Sequence, residues 1–493
     1  MRRIAQVSIL TVVMGLLPVP VFADAASDQF RKELETLKKQ MQEMQHTIKD
    51  QQKTISAQQE TIEKLEKAAA KPVELPPAQK EELRKEVLQE LTREERKVVT
   101  PKPVPARGRG LGGMELFTRG IQSLNPDISI DGLFAAAAST EDDFERLFSG
   151  AHDPTQRGFT LQNLELTLSG AVDPYFRGDV HLVYQIDRKG ESTMEVEEAY
   201  LTSLSLPYNL QLKAGQFFTQ FGRLNPTHPH TWDFADQPLV NGRMFGGDGL
   251  RNPGMQFSYL LPLPFYMEAM TTVQDSQGET AFSFRSTPGE EELFGRPLRE
   301  RKVRGLDDML WVPRLRTSFN LSDTQTLLLG TSVAAGPNAS GLHTRTNIYG
   351  LDLYWRWKPL DNFNGWPFLS FQTEGMFREY QAGRVLDEMS GDLLLPRRTL
   401  NDWGMYAQIL WGFFPRWVAG MRFDYVEGNG DARDDPHRDR RLRYSPNITF
   451  YPSEFSKWRL QYNFDDEPDR GRHDHTVTLQ YEFLIGTHGA HTF

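Results

Sequence analysis

The sequence predicts an all-β transmembrane barrel of about 16 antiparallel strands, preceded by an N-terminal periplasmic α-helical coiled coil. Two periodicities lead to this fold class. Near the N-terminus apolar residues recur every seven positions, which is typical of coiled-coil helices. From about residue 126 apolar and polar residues alternate, which is typical of strands between two different environments. No later apolar run approaches the roughly 18 to 20 residues of a spanning helix, so a membrane-inserted chain must form a closed barrel.

Residues 1–23 have the pattern of a signal peptide. Arg2 and Arg3 precede an apolar run over residues 4–17, and small residues before Asp24 predict cleavage there. We therefore expect the chain to leave the cytoplasm.

Residues 24–70 form the predicted coiled coil, for which a single solvated helix is the alternative. Its seam consists of Phe30, Leu34, Leu37, Met41, Met44, Ile48, Ile55, Ile62 and Leu65, with Gln51 and Gln58 at two further positions. Residues 71–125 continue as a charged helix and a proline- and glycine-rich linker, and residues 126–493 carry the barrel pattern. We expect the coiled coil to lie in the periplasm, where it supports a homotrimer or contacts peptidoglycan.

The barrel segment contains sixteen alternating stretches by our count. They lie near residues 126–135, 158–171, 176–187, 195–204, 209–221, 253–261, 265–274, 309–320, 325–335, 346–358, 366–379, 401–412, 416–426, 441–450, 457–464 and 475–485. In the stretch WRLQYNF, for example, Trp458, Leu460 and Tyr462 alternate with polar residues. The last strand ends near Ile485 or runs on to Phe493.

The lengths of the connections alternate between short and long along the chain. Those after even-numbered strands are short, at 172–175, 262–264, 321–324 and 413–416. Those after odd-numbered strands are long, at 137–157, 222–252, 275–308, 380–400, 427–440 and 465–474. Short periplasmic turns and long external loops are typical of an outer-membrane barrel, whereas a soluble β-sandwich has no reason to sort its loops in this way.

Composition excludes several other classes. The chain of 493 residues has no cysteine, which excludes disulfides, thiolate chemistry and cysteine-ligated zinc. Its formal net charge of −10 gives no reason to expect nucleic-acid binding. We find no G-x-S-x-G, H-E-x-x-H or phosphate-binding glycine loop, so we expect neither an enzyme nor a bound cofactor.

Several stretches resemble a known family. ELTLSGAVDPYFRGDV, EVEEAYLTSLSLP, LQLKAGQFFTQFGRLN, YGLDLYWRWK and YPSEFSKWRLQYNF are similar to the phosphate-selective porin O and P family of Gram-negative outer membranes. FGRLNP, a histidine-containing loop and the EFLIG ending resemble a branch labelled zinc-regulated TonB-dependent outer-membrane receptors. The resemblance implies an outer-membrane location, contact with lipid and lipopolysaccharide, and passive, anion- or phosphate-selective diffusion of small hydrophilic solutes.

Charged residues at inward positions of the strands are candidates for ion selection in a water-filled barrel. The cations are Arg177, Lys213, Arg314, Arg316, Arg356, Lys358, Arg378, Arg422 and Arg459, and the acids sharing these faces are Glu165, Asp179, Glu197, Asp352, Glu374 and Asp424. Pairing between the two sets, which only braces the wall, is the alternative interpretation.

The long connection over residues 222–252, here called loop 3, opens with GRLNPTHPHTWDFAD. Resemblance to general porins implies that it folds into the barrel and narrows it. The candidate constriction residues are Arg223, His228, His230, Asp233, Asp236, Arg243, Asp248 and Arg251. His228 and His230 together with Asp233 or Asp236 also form a candidate zinc site, because imidazole and carboxylate suit that ion.

Two alternatives to a passive porin remain open from the sequence. One is an outer-membrane zinc uptake channel or receptor, although residues 24–125 do not suit the globular plug of an energised receptor. The other is a structural barrel that tethers the envelope through its coiled coil.

Overall fold

The computed structural model describes residues 127–148, 150–186, 190–285, 292–387, 389–429 and 438–486. The predicted signal peptide, coiled coil and linker lie outside the described residues, as does the stretch 487–493 on which the end of the last strand depends.

Sixteen antiparallel strands close into one barrel within the described ranges, which confirms the predicted strand number. The barrel strands are β1 (Asp127–Ser139), β2 (Gly158–Ala171), β3 (Phe176–Ile186), β4 (Ser192–Ser203), β5 (Leu210–Phe218), β6 (Arg251–Leu260), β7 (Tyr266–Gln274), β10 (Leu310–Ser322), β11 (Gln325–Pro337), β12 (Arg345–Trp357), β13 (Phe368–Ala382), β16 (Arg398–Phe414), β17 (Trp417–Asn429), β18 (Arg441–Ser453), β19 (Ser456–Glu467) and β20 (Arg472–Gly486). β20 pairs with β1 from Thr476 opposite Ser139 to Gly486 opposite Ser129, and this pairing closes the barrel.

The remaining elements lie in the long loops. Two small ribbons pair β8 (Glu292–Leu293) with β9 (Arg296–Pro297), and β14 (Val385–Leu386) with β15 (Leu393–Leu395). The helices are α1 (Phe144–Leu147), α2 (Leu239–Phe245) and the 3₁₀ turns Pro229–Thr231, Glu279–Ala281 and Leu306–Asp308. None of the helices in the described ranges is long and apolar enough to cross a membrane.

Loop 3 is bounded differently from the sequence prediction. Strand β5 ends at Phe218, three residues before the predicted end at 221, and Arg251 already belongs to β6. The chain leaves the wall early because the Thr219 backbone N–H donates to the Leu250 carbonyl (2.9 Å) while the Asn225 side chain donates to the Thr219 carbonyl (2.8 Å). Loop 3 therefore comprises residues 219–250 in the structure.

The barrel wall reverses the burial pattern of a soluble protein. Along β19, Leu460 is 49% exposed while Arg459 and Gln461 on the opposite face are 1% exposed. The same alternation continues in β20, where Leu479 is exposed and Gln480 is buried. An apolar outer face and a polar inner face are the arrangement that lipid outside and water or polar protein inside require.

The main apolar core lies inside the barrel, between loop 3 and the inner wall. Helix α2 buries Val240, Met244 and Phe245 completely against apolar side chains of the wall strands. The Phe245 ring also meets the Phe221 ring edge to face at 5.0 Å between ring centres. The barrel interior is therefore occupied by loop 3, which packs on the wall as part of the fold.

Candidate functional site: loop 3 across the barrel interior

Loop 3 begins with an anchored glycine turn. Gly222 has φ +60°, and a Cβ added there would overlap the Glu374 carboxylate of β13. That carboxylate accepts the backbone N–H groups of Arg223 (3.0 Å) and Leu224 (2.7 Å). Only glycine combines the left-handed backbone with this close approach. The turn fixes the loop entry to the wall at β13.

The loop then crosses to strands β2, β3 and β4, where His228 lies among three glutamates. Its Nδ1 lies 2.8 Å from Glu197 Oε2 and 3.2 Å from Glu165 Oε2, and its Nε2 lies 2.8 Å from Glu198 Oε2. His230 Nδ1 lies 3.1 Å from the same Glu165 oxygen. This part of the loop is held to the wall by imidazole–carboxylate contacts.

Two further histidines extend the same group. His181 of β3 places Nδ1 2.8 Å from Glu165 Oε1, and its ring centre lies 4.5 Å from that of His228. His152 of the preceding long loop places Nε2 3.5 Å from Glu197 Oε1. We call these seven side chains the histidine–glutamate cluster; they are His152, Glu165, His181, Glu197, Glu198, His228 and His230.

The electrostatics of the loop histidines follow from these neighbours. Burial by itself lowers the pKa of His228, but the carboxylates of Glu165 and Glu197 outweigh it and hold the pKa well above the ordinary histidine value. The pKa of His230 is raised in the same way, against its burial, by Glu165.

The next part of loop 3 contacts β17, β18 and β19. The Asp236 carboxylate accepts from Arg422 (2.9 Å), Arg443 (2.5 Å), Gln461 (2.5 Å) and Asn463 (3.1 Å). Burial raises the pKa of Asp236, but the two guanidinium groups outweigh it and the pKa lies below the usual aspartate value. Asp236 is therefore a buried anion that ties the loop to three strands.

Asp233 lies in a different place. Its carboxylate accepts from Gln408 (3.0 Å), its backbone carbonyl accepts from Asn447 (3.0 Å), and burial raises its pKa against the nearby Arg459 and Lys457 charges. The candidate zinc set from the sequence is thus not assembled. Asp233 and Asp236 bond to other partners, whereas His228 and His230 meet Glu165.

The remaining candidate constriction residues lie where loop 3 leads back to strand β6. Burial lowers the pKa of Arg243 to about 10, its carbonyl accepts from Arg378 (2.8 Å), and its guanidinium donates to the Asp439 carbonyl (2.9 Å). Arg251 is fully buried and donates to the Glu197 carbonyl (3.0 Å). Burial raises the pKa of Asp248, with His152 and Arg251 opposing. These side chains brace the loop against its neighbours.

The nine inward cations named from the sequence fall into three groups. Three pair with wall carboxylates: Arg177 with Asp179 (3.1 Å), Arg314 with Asp352 (2.7 Å) and Arg316 with Glu268 (2.6 Å). Three donate to loop 3 carbonyls and are fully buried: Arg378 to Arg243, Arg422 to Asp236 and Arg459 to Trp232. Two of these three also pair with wall carboxylates, Arg378 with Asp402 (2.8 Å) and Arg422 with Asp424 (2.7 Å). The last three are Lys213 over the Tyr200 ring (3.8 Å), Arg356 over the Phe368 ring (5.3 Å) and Lys358 just beyond β12.

All nine were candidates for ion selection from the sequence, with bracing of the wall as the alternative, and the structure places the second group under loop 3. The physical reason is that loop 3 carries backbone carbonyls and Asp236 to these guanidinium groups. The alternation of apolar and polar residues along each strand indicated that these side chains face inward. It did not indicate which of them loop 3 covers.

A cavity of about 550 Å³ remains beneath loop 3. We call it the vestibule. Its charged lining residues are Arg223, His230, Asp233, Arg314, Arg316, Arg356, Glu454, Lys457 and Glu482. Five arginines and lysines and three carboxylates line it, and Arg314 and Arg316 are paired with Asp352 and Glu268 of the wall.

Comparison with known proteins identifies a relative by sequence. No protein-family model matches the chain. An uncharacterised protein of Aquifex aeolicus (strain VF5) is 33% identical over 358 residues, which are 69% of this chain and 71% of that protein.

Solved structures of similar shape include three at low sequence identity. The channel DcaP of Acinetobacter baumannii has a TM-score of 0.47 at 13% identity, covering 73% of this chain and 96% of that chain. OprB of Pseudomonas putida has a TM-score of 0.45 at 11% identity, covering 76% and 97%. An anion-selective porin of Comamonas acidovorans has a TM-score of 0.44 at 8% identity, covering 73% and 100%. By its 33% identity over 358 residues, the chain belongs to the family of this Aquifex aeolicus protein.

Proposed function

We propose that this protein is a passive outer-membrane porin of a Gram-negative bacterium, related to the phosphate-selective porin O and P family. It lets small hydrophilic solutes, anions such as phosphate in particular, pass through a barrel that loop 3 narrows. The observation that carries the proposal is the closed barrel with an apolar outer face, a polar inner face and a cation-rich vestibule beneath the loop.

Two vestibule arginines support the anion preference. Arg223 lies over the Tyr354 ring (3.9 Å) and Arg356 over the Phe368 ring (5.3 Å). Within the described residues neither makes an ion pair with a carboxylate, whereas Arg314, Arg316 and Lys457 each do. A ring face attracts a cation but leaves its charge uncancelled, so these two guanidinium groups lower the energy of an anion in the vestibule.

The path of loop 3 supports the constriction. The loop contacts β13 at Gly222, β2 and β4 at His228, and β17 at Asp236 before it returns to β6. A segment that reaches opposite sides of the barrel interior reduces the cross-section open to a solute.

Planar-bilayer recordings test the function directly. We expect the purified chain to form ion-conducting channels whose reversal potential in a salt gradient shows a preference for anions, with phosphate among them. Cation selectivity would contradict the anion preference. A folded, inserted chain that carries no current would contradict the channel itself and favour the envelope-tethering alternative.

Assembly is a second part of the proposal. The heptad pattern of residues 24–70 supports a periplasmic coiled coil that holds a homotrimer in contact with lipid and lipopolysaccharide, or that contacts peptidoglycan. Chemical cross-linking of the full chain and of a variant lacking residues 24–100 tests it. We expect trimers only for the full chain; equal trimer yields from both would remove the assembly role.

A further inference from the structure

We infer that the histidine–glutamate cluster contains a binding site for a zinc-class divalent cation, with His228 of loop 3, His181 of β3 and Glu165 of β2 as ligands. The ion would join loop 3 to two wall strands. This inference goes beyond the proposed channel, because a diffusion path does not itself need a metal.

The ligand atoms already have suitable spacing. One ligand atom from each of Glu165, His181 and His228 lies within 4.8 Å of the other two. Glu165 Oε1 lies 2.8 Å from His181 Nδ1, and Glu165 Oε2 lies 3.2 Å from His228 Nδ1. Zinc bonds of about 2.0 to 2.2 Å in tetrahedral geometry place neighbouring ligand atoms about 3.3 Å apart. Small side-chain movements therefore suffice to hold an ion.

A buried carboxylate oxygen independently indicates a ligand. The Glu165 side chain is 1% exposed, and its Oε2 accepts no hydrogen bond within the described part of the chain. Yet the Nδ1 atoms of His228 and His230 lie 3.2 and 3.1 Å from it. The three atoms are close but not aligned as donors and acceptor. Ligand atoms that surround one cation lie close together without pointing hydrogen atoms at each other. Without such an ion, the buried Glu165 Oε2 would lose the free energy of a hydrogen bond.

All ion pairs of Glu165, Glu197 and Glu198 found within the described ranges are to histidines. When a metal ion displaces the imidazole protons, the three buried carboxylates are left with a net negative charge, which a divalent cation compensates.

Glu198 supplies the orienting contact that metal-bound histidines usually have. Its Oε2 lies 2.8 Å from His228 Nε2, and its Oε1 accepts the Phe218 backbone N–H (2.8 Å). With the ion bound, a neutral His228 would donate its Nε2 proton to this fixed carboxylate and direct its Nδ1 lone pair at the ion. Such carboxylate–histidine–metal arrangements set the tautomer and raise ligand basicity.

The donor set selects the kind of ion. Two imidazoles with one or more carboxylates suit zinc and its neighbours among the transition metals, whereas magnesium and calcium prefer an all-oxygen shell. Since His230 also lines the vestibule, an ion that enters that cavity is next to the cluster. Binding would fix the position of loop 3, so zinc would change the current through the channel as well as its stability.

Metal content and affinity of the full chain test the site without relying on conductance. We expect chain treated with a chelator to bind one zinc ion per chain in a titration, and excess magnesium not to compete. Replacing a ligand in His228→Gln or His181→Gln should weaken zinc binding by at least about 10-fold, and removing the orienting contact in Glu198→Gln by about 10- to 100-fold. The exposed His473 lies elsewhere, so His473→Gln is the matched control with unchanged affinity.

Cobalt provides a test that needs no variant. Co²⁺ bound to the wild-type chain by imidazole and carboxylate ligands should give visible absorption bands that zinc abolishes. No bands, together with zinc binding equal in wild type and in the His181→Gln/His228→Gln double variant, would overturn the inference. The histidines would then act only as hydrogen-bond donors to the glutamates. Conductance of the metal-free chain separately tests the proposed channel.

Discussion

Removing the Asp236 carboxylate is the most informative perturbation of loop 3. In Asp236→Asn the contacts to Arg422 (2.9 Å) and Arg443 (2.5 Å) lose their ionic character. Both arginines and Asp236 are about 1% exposed, so solvent screens these pairs little. Hydrogen bonds to charged groups contribute roughly 1.5 to 3 kcal/mol each, which gives about 3 to 6 kcal/mol for the two.

The lower end of that range applies here. Arg422 keeps Asp424 at 2.7 Å and Arg443 keeps Asp465 at 2.9 Å, so neither guanidinium is left without a carboxylate. A loss of about 3 kcal/mol in the docking free energy of loop 3 corresponds to a rise of about 100-fold in its undocked population, at 1.36 kcal/mol per factor of ten.

Hydrogen exchange measures this population, because amides protected by loop docking exchange through the undocked state. We expect loop 3 amides of Asp236→Asn to exchange about 100-fold faster than in wild type, while amides of the barrel strands keep their protection. Asp323→Asn in the exposed turn after β10 is the matched control and should leave loop 3 unchanged. Equal loop 3 exchange in wild type and Asp236→Asn would refute the view that this ion cluster holds the loop.

The same cluster gives the effect a pH dependence. Because the pKa of Asp236 is depressed in the folded protein, its contribution is present above the unfolded aspartate pKa of about 3.9 and is lost as pH falls through the lower folded value. The difference between wild type and Asp236→Asn should therefore be full at neutral pH and shrink in strong acid. A difference that stays constant down to strongly acidic pH would contradict the ionic origin.

Three further predictions concern the loop and the vestibule. Phe245→Ala removes a fully buried ring from the core beneath helix α2 and should weaken loop docking by about 3 kcal/mol, seen as faster loop 3 exchange and larger channel current. Gly222→Ala places a Cβ against the Glu374 carboxylate at a left-handed backbone position, so we expect the loop entry to detach and trypsin to cleave loop 3 faster, while the barrel stays resistant. Arg356→Gln removes an unpaired vestibule cation. At about 6 Å in water-like surroundings that charge lowers the energy of an anion by about 0.7 kcal/mol and raises that of a cation by the same amount. The anion-to-cation permeability ratio from reversal potentials should therefore fall about 10-fold, and an unchanged ratio would exclude this arginine from ion selection.

Much of the barrel was predictable because its signal is local. Strands such as β2 and β11 begin at the predicted residue, since alternation within one strand already specifies which side chains face lipid. The end of β5 was predicted incorrectly because the apolar pattern continues through Phe221. That ring turns into the interior core with helix α2, a contact that local alternation does not indicate.

The candidate site was predictable only in part for the same reason. Loop 3 and its histidines were evident from the sequence, and Glu165 and Glu197 were recognised as inward-facing. The association of His228 with Glu165 and His181 was missed, because those partners lie on different strands and no spacing along the chain relates them.

The sequence by itself thus determined the barrel and the inward position of its charges, because period-two alternation acts within each strand. Only the tertiary structure decided which inward charges brace loop 3, which line the vestibule and which surround His228. Those choices depend on strand register around a closed barrel and on the path of one loop through its interior. They are non-local contacts, and the free energy that selects them arises only when the barrel has closed around the loop.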